Sequence, residues 1–60
     1  MIYRIWDKRS RTYFKFMSGI GPCFGATKKI AARFGSKKEA LLESSKHWGF
    51  VGTEIKGERK

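Results

Sequence analysis

The stretch at residues 34–40, Phe-Gly-Ser-Lys-Lys-Glu-Ala, constrains the fold more than any other part of the chain. Ser36 and Glu39 have the spacing of a capping box. In that motif the serine hydroxyl accepts the N–H three residues on, and the glutamate side chain accepts the serine N–H. Glu39 also falls in the first turn, where the helix dipole favours negative charge. The pattern predicts a helix that begins at Lys37 and ends where Gly49 takes a left-handed conformation.

One face of this helix should be buried against a sheet. At helical spacing the buried stripe is Ala40, Leu41, Ser44 or Ser45, and Trp48, with Leu42 at its margin. The small serines favour a close approach of the helix to the sheet.

The chain before residue 35 is rich in strand-forming residues. Residues 1–7 and 12–18 are two such runs, and the polar residues 8–11 between them predict an antiparallel hairpin. The glycine-rich residues 18–25 lack the Gly-Lys-Ser/Thr ending of a phosphate-binding P-loop. We therefore interpret them as a wide loop that leads into the third strand.

Two further strands are predicted, one on each side of the helix. In residues 27–34, Ile30, Ala32 and Phe34 alternate with other side chains, which predicts a short third strand. The competing interpretation is a helix over residues 27–33, because Ala31-Ala32 favours it. Residues 50–56 alternate as well and predict a closing strand.

Together these segments predict one α+β domain over residues 1–56, in the order β-β-β-α-β, followed by a charged, frayed tail at 57–60. The sheet is small and antiparallel, has three to four strands and carries the helix on one face. The chain has 60 residues and one cysteine, so an internal disulfide is excluded. Its core must come from nine aromatic residues.

Positive charge is concentrated in the predicted sheet. The chain carries a net charge of +9. Residues 1–38 account for all of it, because they contain ten Lys and Arg against Asp7 alone, whereas the remainder is balanced. Such asymmetry indicates a polyanionic partner, although a solvated basic surface would look the same.

Alternation along the strands separates the two sheet faces. The helix-facing set is Tyr3, Ile5, Phe14, Phe16, Ile30, Ala32 and Phe34. The open face and the first turn supply the candidate nucleic-acid-binding residues, which are Arg4, Trp6, Arg9, Arg11, Tyr13, Lys15, Lys29 and Arg33. Lys and Arg pair with phosphates, and Trp or Tyr can stack on bases. Cross-strand packing of the two aromatic rings is the alternative interpretation.

Other classes of function find little in the sequence. The five carboxylates form no convincing acid–base pair, and Cys23 lacks a histidine nearby in sequence, so we expect no catalytic residues and no enzyme. No Cys/His set suits a metal, and we expect no cofactor. No apolar run reaches the ~20 residues of a membrane span. Arg4 and Asp7 interrupt the apolar run at the start, so no signal peptide and a cytoplasmic location are expected.

The hairpin, the third strand and the Phe-Gly-Ser-Lys-Lys-Glu-Ala helix start resemble three-stranded-sheet DNA-binding domains. These are the plant ethylene-response-factor domain and the arm-site-binding domain of tyrosine integrases. The likeness covers residues 2–48 in pattern, and it implies a sheet that lies in the DNA major groove. The chain departs from these families in its loop at 18–25 and in the strand after Gly49.

The chain also resembles small uncharacterised phage and prophage proteins that share a hairpin, an Ala-x-x-Phe-x-Ser-x-x-Glu-Ala-like stretch and a closing strand ending in Glu-Ile. The matching positions are Ala31, Phe34, Ser36, Glu39, Ala40, Glu54 and Ile55. This likeness implies a small accessory factor that binds and inhibits or modulates a host protein.

Two hypotheses about function follow. The first is non-catalytic binding of nucleic acid, with DNA placed before RNA, through the basic open face. The second is a phage-encoded protein that works in the host cytoplasm and binds an acidic surface of a host protein. A small enzyme that uses Cys23 is a weaker third class.

Overall fold

The structure is a computed structural model that describes residues 1–59, without the side chain of Trp48. It confirms the α+β class, with the element order β-β-β-β-α-β. The elements are β1 (Ile2–Asp7), β2 (Thr12–Tyr13), β3 (Phe16–Ser18), β4 (Gly21–Cys23), α1 (Lys37–Ser44), a 3₁₀ helix (Trp48–Phe50) and β5 (Thr53–Glu58).

The main sheet has three antiparallel strands in the order β2-β1-β5. Its centre is β1, in which Ile5 pairs with Ile55 and Trp6 pairs with Tyr13. The closing strand begins at Thr53, three residues after its predicted start at residue 50, because a 3₁₀ helix and a turn precede it. It extends to Glu58, two residues beyond the predicted end at Lys56, because β1 offers partners up to Ile2.

Gly57 and Glu58, predicted as part of a frayed tail, are therefore paired strand residues. A Cβ on Gly57 would lie 2.7 Å from the ring of Tyr3, so only glycine fits there without a shift. The prediction for Lys60 lies outside the described residues.

The core lies on the face of the main sheet that α1 covers. Its buried members are Ile5, Phe14, Ala40 and Phe50. The Phe14 ring is central, since its centroid is 5.1 Å from that of Phe50 and 5.8 Å from that of Phe24. Aromatic rings from separate parts of the chain thus hold the domain together, as the composition predicted.

The start of α1 is confirmed. Ser36 is the N-cap, and its Oγ accepts the N–H of Glu39 at 3.2 Å. The second hydrogen bond of the capping box differs from the prediction by one residue. Glu39 Oε2 accepts the N–H of Gly35, at 3.0 Å, and not that of Ser36. The cap still satisfies two backbone donors, one inside the first turn and one just before it.

The end of the helix differs from the prediction. The helix stops at Ser44 with Ser45 as the C-cap, and the hydroxyls of both serines bond back to the carbonyl three residues earlier. Gly49 does not cap it. A Cβ there would lie 2.8 Å from Pro22, so Gly49 serves close packing, while the next glycine along the chain, Gly52, has a positive φ of +86°.

The predicted buried stripe of the helix is only partly correct. Ala40 is fully buried against the sheet, and Ser44 is half-buried. Leu41 is 51% exposed, Leu42 is also exposed, and so is Ser45. Ala40 and Ser44 lie one turn apart on the buried side of α1, and Leu41 and Leu42 are rotated by about 100° and 200° from Ala40, which directs them away from the sheet. The prediction for Trp48 concerns a side chain outside the described part of the structure.

The predicted second strand, residues 12–18, is two strands. Phe14 leaves the main sheet after donating its N–H to the carbonyl of Ile5, and Lys15 bonds instead to the carbonyl of Cys23. Phe14 thereby enters the core, whereas Phe16, predicted to face the helix, is 56% exposed. Alternation fails because the chain changes sheets between these two rings.

The predicted wide loop at residues 18–25 contains a strand instead. β3 and β4 form a two-stranded hairpin in which Ser18 pairs with Gly21. The Ser18 hydroxyl closes the turn, since it donates to the carbonyl of Gly21 at 2.7 Å and accepts the N–H of Ile20. Pro22 is tolerated because each strand of a two-stranded sheet is an edge.

The predicted third strand, residues 27–34, is a turn held between two single bridges. Tyr13 bridges to Ala26, and Tyr3 bridges to Phe34. Between them the N–H of Ala31 bonds to the carbonyl of Thr27 at 3.0 Å, which is a helical turn. The turn rotates the side chains, so Ala31 is buried and Ile30, predicted to be in the core, is 63% exposed.

Candidate nucleic-acid interface

The open face of the main sheet is built by alternation along β1. Ile5 points into the core, so Arg4 and Trp6 lie on the opposite face. Lys56, paired with Arg4, and Glu58, paired with Ile2, share that face on β5. The face predicted to be open is therefore open, and α1 packs on the other one.

One end of this face forms an open groove of about 510 Å³. It is lined by Ile2, Arg4, Lys28, Lys29, Arg33, Glu58 and Arg59. Five cations face a single carboxylate there, which leaves four excess positive charges. Three segments supply the five cations, namely β1, the turn after Ala26 and the residue that follows β5. A concave surface with one sign of charge attracts polyanions.

Arg4 forms the floor of the groove. Its side chain is only 12% exposed. Its Nε donates to the carbonyl oxygen of Lys28 at 3.0 Å, and its Nη1 lies 3.7 Å from Oε2 of Glu58. The guanidinium is thus fixed in position by the turn that it helps to anchor.

Glu58 is the counter-charge of the groove. Its carboxylate forms an ion pair with the Lys28 ammonium as well as with Arg4. The hydrogen bond from Lys28 lowers the pKa of Glu58, against a smaller opposing effect of desolvation, and the charges of Lys28 and Arg4 lower it further. Glu58 is therefore ionised at neutral pH.

The other three cations of the groove are exposed. Lys29 and Arg33, both predicted as site residues, lie here together with Arg59. Within residues 1–59 none of these three side chains forms an ion pair with a carboxylate. Their charge is available to a ligand at no cost of breaking a salt bridge.

The aromatic residues of the site, Trp6 and Tyr13, are packed on each other. Their ring centroids are 4.8 Å apart, at an angle of 66°. The Lys56 ammonium lies 4.4 Å from the centroid of the Trp6 ring. Cross-strand packing with a cation over the ring is the interpretation that this geometry favours.

Arg9, Arg11 and Lys15 lie outside the groove. Arg9 and Arg11 belong to the exposed turn between β1 and β2, where Arg11 takes a left-handed conformation at φ +58°. Lys15 is exposed between β2 and β3. Of the eight predicted site residues, the groove brings together Arg4, Lys29 and Arg33.

The turn between β1 and β2 is organised by Asp7, which is 5% exposed. Its carboxylate accepts the Ser10 hydroxyl at 2.9 Å and the Arg9 N–H at 3.2 Å. Burial alone would raise the pKa of Asp7, but these hydrogen bonds and the Arg9 guanidinium outweigh it and lower the pKa below 3.8. Asp7 therefore serves the fold of the hairpin.

Sequence reasoning missed Lys28, Glu58 and Arg59. A strand would have placed Lys28 on the face opposite Lys29, whereas a turn lets both reach the groove. Glu58 and Arg59 fell in the predicted frayed tail. The alternation of Glu54, Lys56 and Glu58 was the available signal that the strand continued.

A second groove, of about 320 Å³, lies beside the β3–β4 hairpin. Its lining includes Cys23, which is a half-buried free thiol, and His47. His47 Nδ1 accepts the N–H of Gly49 at 2.9 Å, a bond that shapes the 3₁₀ segment. Among the described residues no three His, Cys, Asp or Glu side chains are grouped closely enough to hold a metal ion.

Comparisons with protein families, with curated proteins and with solved structures find no match to this chain. Within the described residues no helix has the length and apolar character needed to cross a membrane.

Proposed function

We propose that this protein is a non-catalytic, nucleic-acid-binding accessory protein that holds phosphates in the basic groove. The observation that carries the proposal is the grouping of five cations around one open concavity at the end of the uncovered sheet face. Phosphate contacts by Lys and Arg supply most of the affinity of non-specific nucleic-acid binding.

The three exposed cations that have no carboxylate partner within residues 1–59 are the primary phosphate contacts of the proposal. Lys29, Arg33 and Arg59 are exposed residues in the lining of the groove, which also includes the fixed guanidinium of Arg4. The packed Trp6–Tyr13 pair supports a sheet of defined shape rather than a stacking platform. We therefore propose binding to the nucleic-acid backbone without recognition of the base sequence. DNA is the first candidate ligand and RNA is the second.

Fluorescence anisotropy of labelled DNA and RNA at several salt concentrations tests the proposal. With three phosphate contacts the slope of log affinity against log salt should be about −2 on single strands and about −3 on duplex DNA. Different sequences of the same length should bind with similar affinity. An absence of binding even at low salt would contradict the proposal.

Binding of an acidic protein surface in the host cytoplasm is the second candidate, and one observation favours it. Leu41 and Leu42 are 51% and 58% exposed on α1. Burial of two adjacent exposed leucines in a protein interface would remove apolar surface from water, which favours binding. A pull-down from host lysate with and without nuclease separates the candidates. Partners that disappear on nuclease treatment support nucleic acid, and protein partners that are retained support the second candidate.

A further inference from the structure

The groove already contains an anion, which belongs to the chain itself. Oε2 of Glu58 lies 3.7 Å from Nη1 of Arg4, and the same oxygen pairs with the ammonium of Lys28. Two cations from different segments thus converge on one carboxylate oxygen. Convergent, charge-assisted contacts of this kind are the way proteins hold a phosphate oxygen.

The two cations are not equally mobile. Arg4 is held by the bond from its Nε to the carbonyl of Lys28 and by its low exposure of 12%. Removal of Glu58 therefore leaves the guanidinium in place and still directed into the groove. The side chains of Lys28 and Glu58 are 50% and 46% exposed, so both can rearrange without a change in the core.

We propose that Arg4 and Lys28 form a phosphate-binding subsite that Glu58 occupies in the free protein and that a ligand phosphate takes over when Glu58 swings out. This rests on the proposed function for the nucleic-acid ligand, but the subsite is defined for any phosphate group. Glu58 is the last residue of β5, and its side chain can turn toward solvent while the strand stays paired.

Glu58 would therefore compete with a ligand phosphate for Arg4 and Lys28. A tethered carboxylate acts at a high effective concentration, so the subsite is open in only a fraction of molecules. The apparent affinity for a phosphate is reduced by that fraction. Exposed ion pairs are weak, so removal of this one should tighten binding by only about two- to fivefold.

Glu58→Gln and Glu54→Gln are a matched pair of variants for the test. Each removes one negative charge from the same face of β5. Position 54 is four residues along the strand, about 13 Å away, which exceeds the Debye length of about 8 Å at physiological salt. At physiological salt, Glu54 is therefore screened from the subsite, so E54Q reports the effect of losing a carboxylate from the strand itself, whereas release of the competitor is specific to E58Q.

Two readouts are needed at physiological ionic strength. The first is anisotropy with labelled DNA. The second is titration with inorganic pyrophosphate, followed by NMR of the Arg4 Nε–H signal, which does not depend on nucleic-acid binding. We expect E58Q to bind both probes about two- to fivefold more tightly than wild type, and E54Q to bind them as wild type does.

The outcomes separate this inference from the proposed function. If pyrophosphate shifts the Arg4 signal and E58Q tightens that binding while DNA does not bind, the subsite stands and the nucleic-acid proposal fails. Equal affinity of E58Q and E54Q for pyrophosphate would overturn the inference. So would pyrophosphate binding that leaves the Arg4 signal unmoved, or an absence of pyrophosphate binding in wild type and E58Q alike.

Discussion

The two faces of the main sheet both include side chains of β1, but one face forms the core and the other is charged and exposed. On one face, Ile5 is fully buried beneath α1 and beside the Phe14 ring. On the other, Arg4 lies in a groove with four further cations. Successive side chains of a strand point to opposite faces, so Ile5 joins the buried aromatic cluster while the adjacent Arg4 lies in the charged groove.

In a domain this small, the covered face supplies the stability and the open face is left for binding. A chain of 60 residues buries only about 60% of the surface that it exposes when unfolded. It has little apolar surface to spare, so one face must be almost wholly core. The other face can then be charged at little cost, because exposed cations contribute little to folding. Substitutions on the two faces should accordingly separate loss of fold from loss of binding.

The largest effect is expected from Phe14→Ala. This ring contacts the rings of Phe24, Phe34 and Phe50, so its removal should lower the free energy of unfolding by about 3–5 kcal/mol and leave the protein largely unfolded. Urea unfolding followed by circular dichroism measures this. Phe16→Ala, two residues on but 56% exposed, is the matched control and should change stability by about 0.5 kcal/mol or less. Similar losses from both variants would show that the core is wrongly placed.

An intermediate effect is expected from Asp7, whose carboxylate holds the turn between β1 and β2. Asp7→Ala should cost about 1–3 kcal/mol, because the Ser10 hydroxyl and the Arg9 N–H lose their acceptor. Thermal unfolding of the variant and of wild type at neutral pH measures the loss.

The lowered pKa of Asp7 also sets the direction of a pH effect. Stability from a carboxylate with a depressed pKa is fully present above the unfolded pKa of 3.8, and it is lost as the pH falls through the folded pKa. The difference in melting temperature between wild type and Asp7→Asn should therefore shrink as the pH is lowered below 3.8. A difference that stays constant from neutral pH down to acid would show that the charge of Asp7 plays no part.

A smaller effect is expected from Ser36→Ala at the start of α1. Loss of the Oγ that accepts the Glu39 N–H should cost about 1 kcal/mol. For a domain of this size that corresponds to a fall of about 4–8 °C in melting temperature. Ser36→Asp should restore the cap, and the melting temperature should return close to that of wild type. No change in Ser36→Ala would contradict the assigned helix start.

The parts of the fold that the sequence predicted are those governed by local chemistry. The start of α1 followed from Ser36 and Glu39, and the first hairpin followed from two strand-forming runs around a polar turn. The hairpin of β3 and β4 was missed because glycines 19 and 21 suggested a loop. The Ser18 hydroxyl closes its turn, and Pro22 is tolerated because each strand has one unpaired edge.

The errors share one physical cause, which is that alternation holds only while the chain stays in one sheet. Phe16 was assigned to the core with Phe14, but a change of sheet falls between them. Ile30 was assigned with Ala32, but a helical turn rotates it outward. The same turn brings Lys28 into the site, so the groove depended on tertiary structure that the strand pattern did not contain.

The proposed function attributes nucleic-acid binding to the cations of the groove and not to the net charge of the whole protein. Two double variants separate these two possibilities. Lys29→Ala/Arg33→Ala removes two groove cations, and Lys8→Ala/Lys46→Ala removes two cations elsewhere, one in the first turn and one paired with Glu43. Both double variants have the same net charge and should keep the wild-type melting temperature within a few degrees.

Anisotropy with labelled DNA over a range of salt concentrations is the deciding measurement. The groove variant should bind more weakly, and its log–log salt slope should be smaller than that of wild type by about two, because each of the two missing cations accounts for about one. The control variant should keep a slope close to that of wild type. Equal weakening in the two variants would contradict the claim, because binding would then follow total charge wherever it lies.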